Sequence, residues 1–312
     1  MKKFRNITVI LLLIIDFLVI SNPAFAENPM RITAEENVVS IHDDQKVLLR
    51  YRYESVPFKP YVQQLFSPRG VNVLRDAPAD HLHHHALMFA VAVDGVNFWE
   101  EQQQPGRQIH KRFTDVKINK SNEVPYAGFT EELNWVNPSV QELLLKESRT
   151  IKICRLNEPE VTLLSWQSGF ELPPAKESVT LTGSHYFGLG MRFDKSMDVG
   201  GQFRNSEGKT GEVVRGDERL IQAKWCAYTA GANGKPVTIA MFGHPDNLRH
   251  PTQWFTMTKP FAYLSATLNL HKEPLKVTSD KPLVLRYAVA LWDGRVENDI
   301  INRVYKWWIE NN

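Results

Sequence analysis

Only two cysteines, Cys154 and Cys226, occur in 312 residues, and neither belongs to a CxxC pair. Thiol redox chemistry and zinc-finger folding therefore lack their ligands. Both lie in apolar or alternating segments and read as buried free thiols rather than a bridge, a staple that a chain this long does not need. Also missing are a GxSxG elbow, a Walker A loop, a GxGxxG turn after a strand and an HExxH helix. The usual signatures of serine hydrolases, nucleotide binders and zincins are thereby removed. Glycine and proline, at 17 and 18, are too few for a low-complexity or collagen-like chain. Past residue 20 no stretch approaches the 18 apolar residues of a membrane span.

Net charge is nearly absent too. The formal +2 comes from the N-terminus, where Lys2, Lys3 and Arg5 precede the apolar run Ile7 to Ile20 and then Ala24-Phe25-Ala26. Basic start, short apolar run and small-x-small site are the three parts of a secretory signal peptide. The expectation is a signal over residues 1–26 and a single exported domain over residues 27–312, periplasmic or extracellular. No cysteine follows the cleavage site to carry a lipid. Removing the signal leaves 34 of the 37 basic and 34 of the 35 acidic residues. A neutral chain has no electrostatic footprint for nucleic acid or an anionic membrane, so neither is expected as a partner.

The dominant hydrophobic period is two. Leu49, Tyr51 and Tyr53 alternate with Arg50 and Arg52, and Leu87–Val93 stops at the hairpin signal Asp94-Gly95. Further strands are expected at 129–136, 142–155, 161–167, 178–183, 185–193, 222–228, 236–242, 263–270 and 283–292. Gly231-Ala232-Asn233-Gly234 should turn one hairpin. One helix is expected at the C-terminus, opened by Glu297-Asn298-Asp299, with Ile300, Val304 and Trp307/Trp308 at helical spacing. The fold class is all-β, a large antiparallel sandwich with a C-terminal helix.

Chemistry concentrates in three segments. Four of the ten histidines fall in Asp80-His81-Leu82-His83-His84-His85. In a strand His81, His83 and His85 would share one face and His84 the other, and imidazoles so placed can grip a divalent metal or sugar hydroxyls. In His185–Phe193, Gly188 and Gly190 bare the backbone for a ligand. Arg192 there needs either a carboxylate partner or an anionic or polyhydroxyl ligand. The third segment, Gly243-His244-Pro245-Asp246-Asn247, puts polar side chains on an edge loop; Trp254 follows as a stacking face, and Asp293 beside Gly294 is a weaker candidate.

Several short motifs carry a resemblance. Lys59-Pro60-Tyr61, Ser67-Pro68-Arg69-Gly70 and Arg75-Asp76-Ala77-Pro78 lead into the histidine cluster; Phe187-Gly188-Leu189-Gly190-Met191-Arg192, Trp225-Cys226-Ala227-Tyr228, His244-Pro245-Asp246-Asn247, Leu285-Arg286-Tyr287 and Trp292-Asp293-Gly294 follow. Together they resemble a bacterial family of unknown function labelled "methane oxygenase PmoA-like". His85-Ala86-Leu87 stands where that family usually has Arg-Gly-Leu. The resemblance implies a secreted protein with a galactose-mutarotase-type β-supersandwich, found beside sugar-degrading enzymes. It implies a carbohydrate-active enzyme that hydrolyses, eliminates or epimerises a glycoside or keto sugar. Its catalytic groups would be His83, His84, His185 and His244, with Arg192, Asn247, Trp254 and Asp293 on the substrate. His81, His83 and His185 form an alternative set for a divalent metal. A non-catalytic sugar-binding protein of the same fold is the competing reading; an oxygenase follows only from the label.

Overall fold

Side chains along the long strands alternate between interior and solvent. Ala127, Phe129, Leu133 and Trp135 point inward from Tyr126–Asn137, and Leu145, Ile151 and Ile153 from Glu142–Asn157. That half-buried pleat is what the period of two specifies. The computed structural model describes residues 30–56, 58–119, 124–174 and 176–312; the expected signal, residues 1–26, lies outside the described residues.

Two large sheets result, with every strand pair antiparallel. The first runs Met30–Glu35, Val38–Asp43, Lys46–Arg52, Tyr61–Leu65, Leu87–Ala90, Gly188–Arg192, Tyr263–Thr267, Gln253–Met257, Arg219–Gln222, Glu212–Val213. The second runs Gln202–Asn205, Trp225–Ala232, Lys235–Gly243, Leu283–Asp293, Glu160–Glu171, Glu142–Asn157, Tyr126–Asn137, Arg107–Phe113. A four-stranded sheet includes the hairpin Ala92–Val93/Val96–Asn97. The main core lies between the large sheets, where Tyr51 meets Phe129 at 5.1 Å and Phe193 meets Tyr228 at 4.7 Å between ring centroids. The outer face of the second sheet is covered by the helix Asn298–Asn311, which buries Ile301, Val304, Tyr305 and Trp308. Each such side chain contributes roughly 1.5–3 kcal/mol by leaving water. Val304 and Trp308 are buried as expected, Ile301 and Tyr305 join them, and Ile300 and Trp307 are only partly covered. Among the described residues no helix is long and apolar enough to cross a membrane.

Two expected strands are differently built. The segment 222–228 divides at Ala223-Lys224, so that Arg219–Gln222 belongs to the first sheet and Trp225–Ala232 to the second. The segment 185–193 is a turn up to Phe187 and a strand only over Gly188–Arg192. The four-residue turn tightens to Asn233-Gly234, both at positive φ (50° and 78°), which Asn and Gly tolerate. Cys154 and Cys226 are free and buried.

Candidate functional site

The histidine cluster is a loop, not a strand. His81 N–H donates to Pro78 O (2.8 Å), His84 N–H to His81 O (3.0 Å) and Ala77 N–H to His84 O (3.0 Å). These turns destroy the alternation. His81, His83 and His84 gather on one side and His85 leaves it. His81 and His84 stack at 4.6 Å, and His83 meets His84 edge-on at 4.6 Å. Ala86, just after the cluster, holds φ +49°, a conformation that favours glycine.

The three rings line a cleft of ≈ 540 Å³ between the cluster, the loop before Arg219–Gln222 and the loop after Gln253–Met257, within the roughly 300–1,000 Å³ of small-molecule sites. Its walls are Trp99, Tyr186, Phe255 and Phe261, and Glu100, Asp217 and Glu218 add carboxylates. Trp99 stands 5.1 Å from His83 and 5.3 Å from His84. Burial, reinforced by His81 and Lys59, holds His83 below its usual pKa of 6.5. His84 is 5 % exposed, and burial with His83 and His81 beside it pushes its pKa down to about 2. That shift favours the neutral ring near pH 7.

His85 belongs to the support beneath the cleft. Its Nδ1 donates to Asp76 (3.1 Å) and its Nε2 faces Glu101 at 3.1–3.2 Å; Glu101 also pairs with buried Lys59. Tyr61 donates to Asp76 at 2.7 Å and stacks on His85 at 4.7 Å. Burial opposes the charge on His85, but the two carboxylates outweigh it and raise its pKa. Since His85 adjoins His84, and Glu101 adjoins Glu100, this network fixes both sides of the cleft at once.

The other expected site residues divide. His185 stands behind the cleft: Nε2 donates to Glu218 at 3.0 Å and Nδ1 lies 3.2 Å from the Ser184 hydroxyl. It positions Glu218 rather than lining the cleft. Both its nitrogens are engaged, and among the described residues no three His, Cys, Asp or Glu side chains are set to hold a metal ion. The set His81, His83 and His185 therefore does not fit a metal. His244 packs against Trp308 of the helix at 5.4 Å, its Nδ1 accepting from Asp246 N–H. Asn247 clamps Arg286, donating to its carbonyl and accepting from its N–H, both at 2.7 Å. Trp254 is fully buried and donates to Ala223 O at 2.8 Å. Asp293 accepts from Ser67 Oγ (2.7 Å) and Arg69 N–H (2.8 Å). None of these four lines the cleft; edge loops and glycine neighbours mark structural ties as readily as sites. Gly188 and Gly190 make room for the protein itself, because a Cβ there would overlap Ala266 O and the Tyr263 hydroxyl. Arg192 lies behind Phe261, 1 % exposed.

Asn247→Ala should accordingly cost stability, about 1–3 kcal/mol for the buried backbone groups it strands. Urea unfolding reads this. A loss of turnover per folded molecule with unchanged stability would return Asn247 to the site.

Sequence reasoning missed Trp99, Glu100, Asp217, Glu218 and Phe261. Trp99-Glu100-Glu101 just past the Asp94-Gly95 hairpin, and Arg215-Gly216-Asp217-Glu218 in a turn-rich stretch, were the available signals. Neither stands out without the fold.

Fold and cleft define an antiparallel β-sandwich protein with a cleft lined by histidines and aromatic rings. The chain belongs to the family of unknown function DUF6807, whose model matches residues 38–306; the PmoA label is not the one matched. No curated protein matches the chain. Among solved structures it is similar to an alpha-galactosidase from Lactobacillus brevis, at 8% identity and TM-score 0.45, covering 86% of this chain and 40% of that one. It is also similar to a galactose mutarotase related enzyme from Lactobacillus acidophilus, at 7% identity and TM-score 0.36, covering 86% of this chain and 100% of that one. Likenesses at these scores carry no argument about either fold or activity.

Proposed function

We propose that the chain is an exported carbohydrate-active enzyme whose cleft holds a sugar ring while His83 moves a proton. One observation carries the reading: three imidazoles from a single loop meet aromatic walls and carboxylates in one cleft of sugar-accommodating size. Aromatic faces such as those of Trp99 and Phe261 suit the apolar face of a sugar ring, and Glu100 and Glu218 can bind its hydroxyls. His83, half-buried and neutral near pH 7, is placed as the base. Hydrolysis, elimination and epimerisation of a glycoside or keto sugar all need such a group.

A panel of glycosides and their keto-sugar counterparts, with products followed by chromatography, tests this. Product from at least one is expected. Binding without product from any of them favours a sugar-binding protein, a reading supported by the neutrality of His84 and the structural engagement of His85. Export is tested separately. Intact mass from a secreting host should show a chain starting at Glu27, and retention of residues 1–26 would remove that part of the proposal.

A further inference from the structure

Buried polar atoms without a hydrogen-bond partner are rare in folded proteins and call for an explanation where they cluster. Among the described residues they cluster here. His84 Nδ1, Trp99 Nε1, Arg192 Nε and Nη1, Tyr263 Oη and Ser265 Oγ are all buried and all unpartnered. These atoms adjoin one another. His84 lies 5.3 Å from Trp99 and 5.2 Å from Tyr263 between ring centroids, Arg192 and Tyr263 are cross-strand partners, and Ser265 is two residues along the same strand. The group sits at and behind the wall of the cleft.

Its chemistry is lopsided. The Arg192 and Trp99 nitrogens can only donate, and no member can only accept. Arg192 Nη2 pairs with the carboxylates of Asp80 and Asp198 at 3.7 and 3.9 Å, too long for hydrogen bonds, and Nε and Nη1 have no partner. What covers the guanidinium is the Phe261 ring, 3.4 Å from its Cζ, and Phe261 lines the cleft. The cleft's own carboxylates already accept hydrogen bonds: Glu100 from Tyr186, Asp217 from Thr258, and Glu218 from His185 and Arg215. They therefore oppose an incoming anion less than three bare charges would.

We infer that the cleft takes a sugar acid, whose carboxylate seats on Arg192 where the Phe261 ring now lies. A hydroxyl brings a donor with every acceptor, whereas a carboxylate brings acceptors alone and matches the guanidinium fork. Phe261 in the closed position shields the cation from water until the ligand arrives. This rests on the sugar-binding reading of the cleft and names its substrate class.

Calorimetric titration of the full chain with glucuronate and galacturonate, beside glucose and galactose, tests the inference. The acid should bind at least about tenfold more tightly than its neutral parent, with the preference shrinking as salt is added. Phe261→Ala should widen the preference, Arg192→Lys should keep part of it, and Arg192→Met should abolish it while leaving the binding of glucose and galactose unchanged, which shows that the cleft still forms. Equal binding of acid and neutral sugar, or a preference that survives Arg192→Met, overturns the inference and leaves the proposed function standing. If no sugar of either kind binds, both fall. Loss of glucose and galactose binding in Arg192→Met would make the residue structural and overturn the inference as well.

Discussion

Arg149→Met is expected to destabilise the fold by about 3–5 kcal/mol, the range for breaking a buried ion pair from one side. Arg149 and Glu131 are wholly buried between the large sheets, and Glu147 nearly so. Arg149 donates to both Glu147 oxygens (2.8 Å each), to the Tyr51 hydroxyl (3.0 Å), to Pro60 O (3.0 Å) and to Gln108 Oε1 (2.9 Å). All five guanidinium N–H groups are thus satisfied. Glu147 also accepts from Trp135 (2.8 Å) and Ser168 (2.6 Å), and Glu131 from Tyr51 and from His110 (2.7 Å). Burial opposes the charge on Arg149, but the Glu147 carboxylate outweighs it and holds the guanidinium charged. Burial meanwhile raises Glu131, so its carboxylate depends on these donors. Methionine fills the space but leaves Glu147 short of its counter-charge. Urea unfolding should show a lower midpoint with an unchanged slope. Adding Glu147→Gln should recover part of the loss, since the stranded charge is then gone. A single-variant loss below about 1 kcal/mol would mean the network is wetter than its burial implies.

The difference between Arg149 and Arg192 also shows what the sequence can reveal. Alternation read residues 142–155 as a strand, which the structure extends to Asn157, yet it could not say that Glu147 and Arg149 point inward as a matched pair, because matching depends on Tyr51 and Gln108 from distant strands. The resemblance motifs behave likewise. Lys59, Tyr61, Asp76 and His85 meet in one network, Ser67 and Arg69 meet Asp293, and Asn247 meets Arg286. Most of these spacings specify ties that hold the loops rather than groups that touch a ligand, and only three-dimensional pairing separates the two. The histidine cluster was legible as composition, and the expected meeting of His81, His83 and His84 occurs, but by a turn rather than along a strand face. A strand period separates His83 from His84, whereas the loop hydrogen bonds of His81 and His84 bring them together. Trp99 and Phe261 carried no local signal, because their site value comes from facing the histidines across the cleft.

His83→Ala is expected to cut turnover on the true substrate by about 10²–10⁴-fold, the usual contribution of a positioned acid or base. His83 is half-buried and burial lowers its pKa, whereas His84 is buried more deeply and its pKa is pushed further down, to about 2. His83 is half-buried, with edge contacts to Trp99 and His84, so its removal should change the thermal midpoint little. His84→Ala should differ, losing stability as well, because that ring packs against His81, Trp99, Phe261 and Tyr263. His42, on the edge hairpin beside Arg31 and Thr33, is the control and should tolerate alanine. The pH profile supplies a readout that a structural role would not move. Burial lowers the His83 pKa, so the neutral base persists below pH 6.5 and is lost only as pH falls through that lowered value. The wild type should therefore show an acid limb in kcat/KM below pH 6.5, and the residual activity of His83→Ala should lack it. An acid limb that survives the substitution would assign the proton to another group, with Glu100 or Glu218 next in line. Full activity in His83→Ala, with the protein folded, would leave the cleft as a binding site and make the sugar-binding reading the better one.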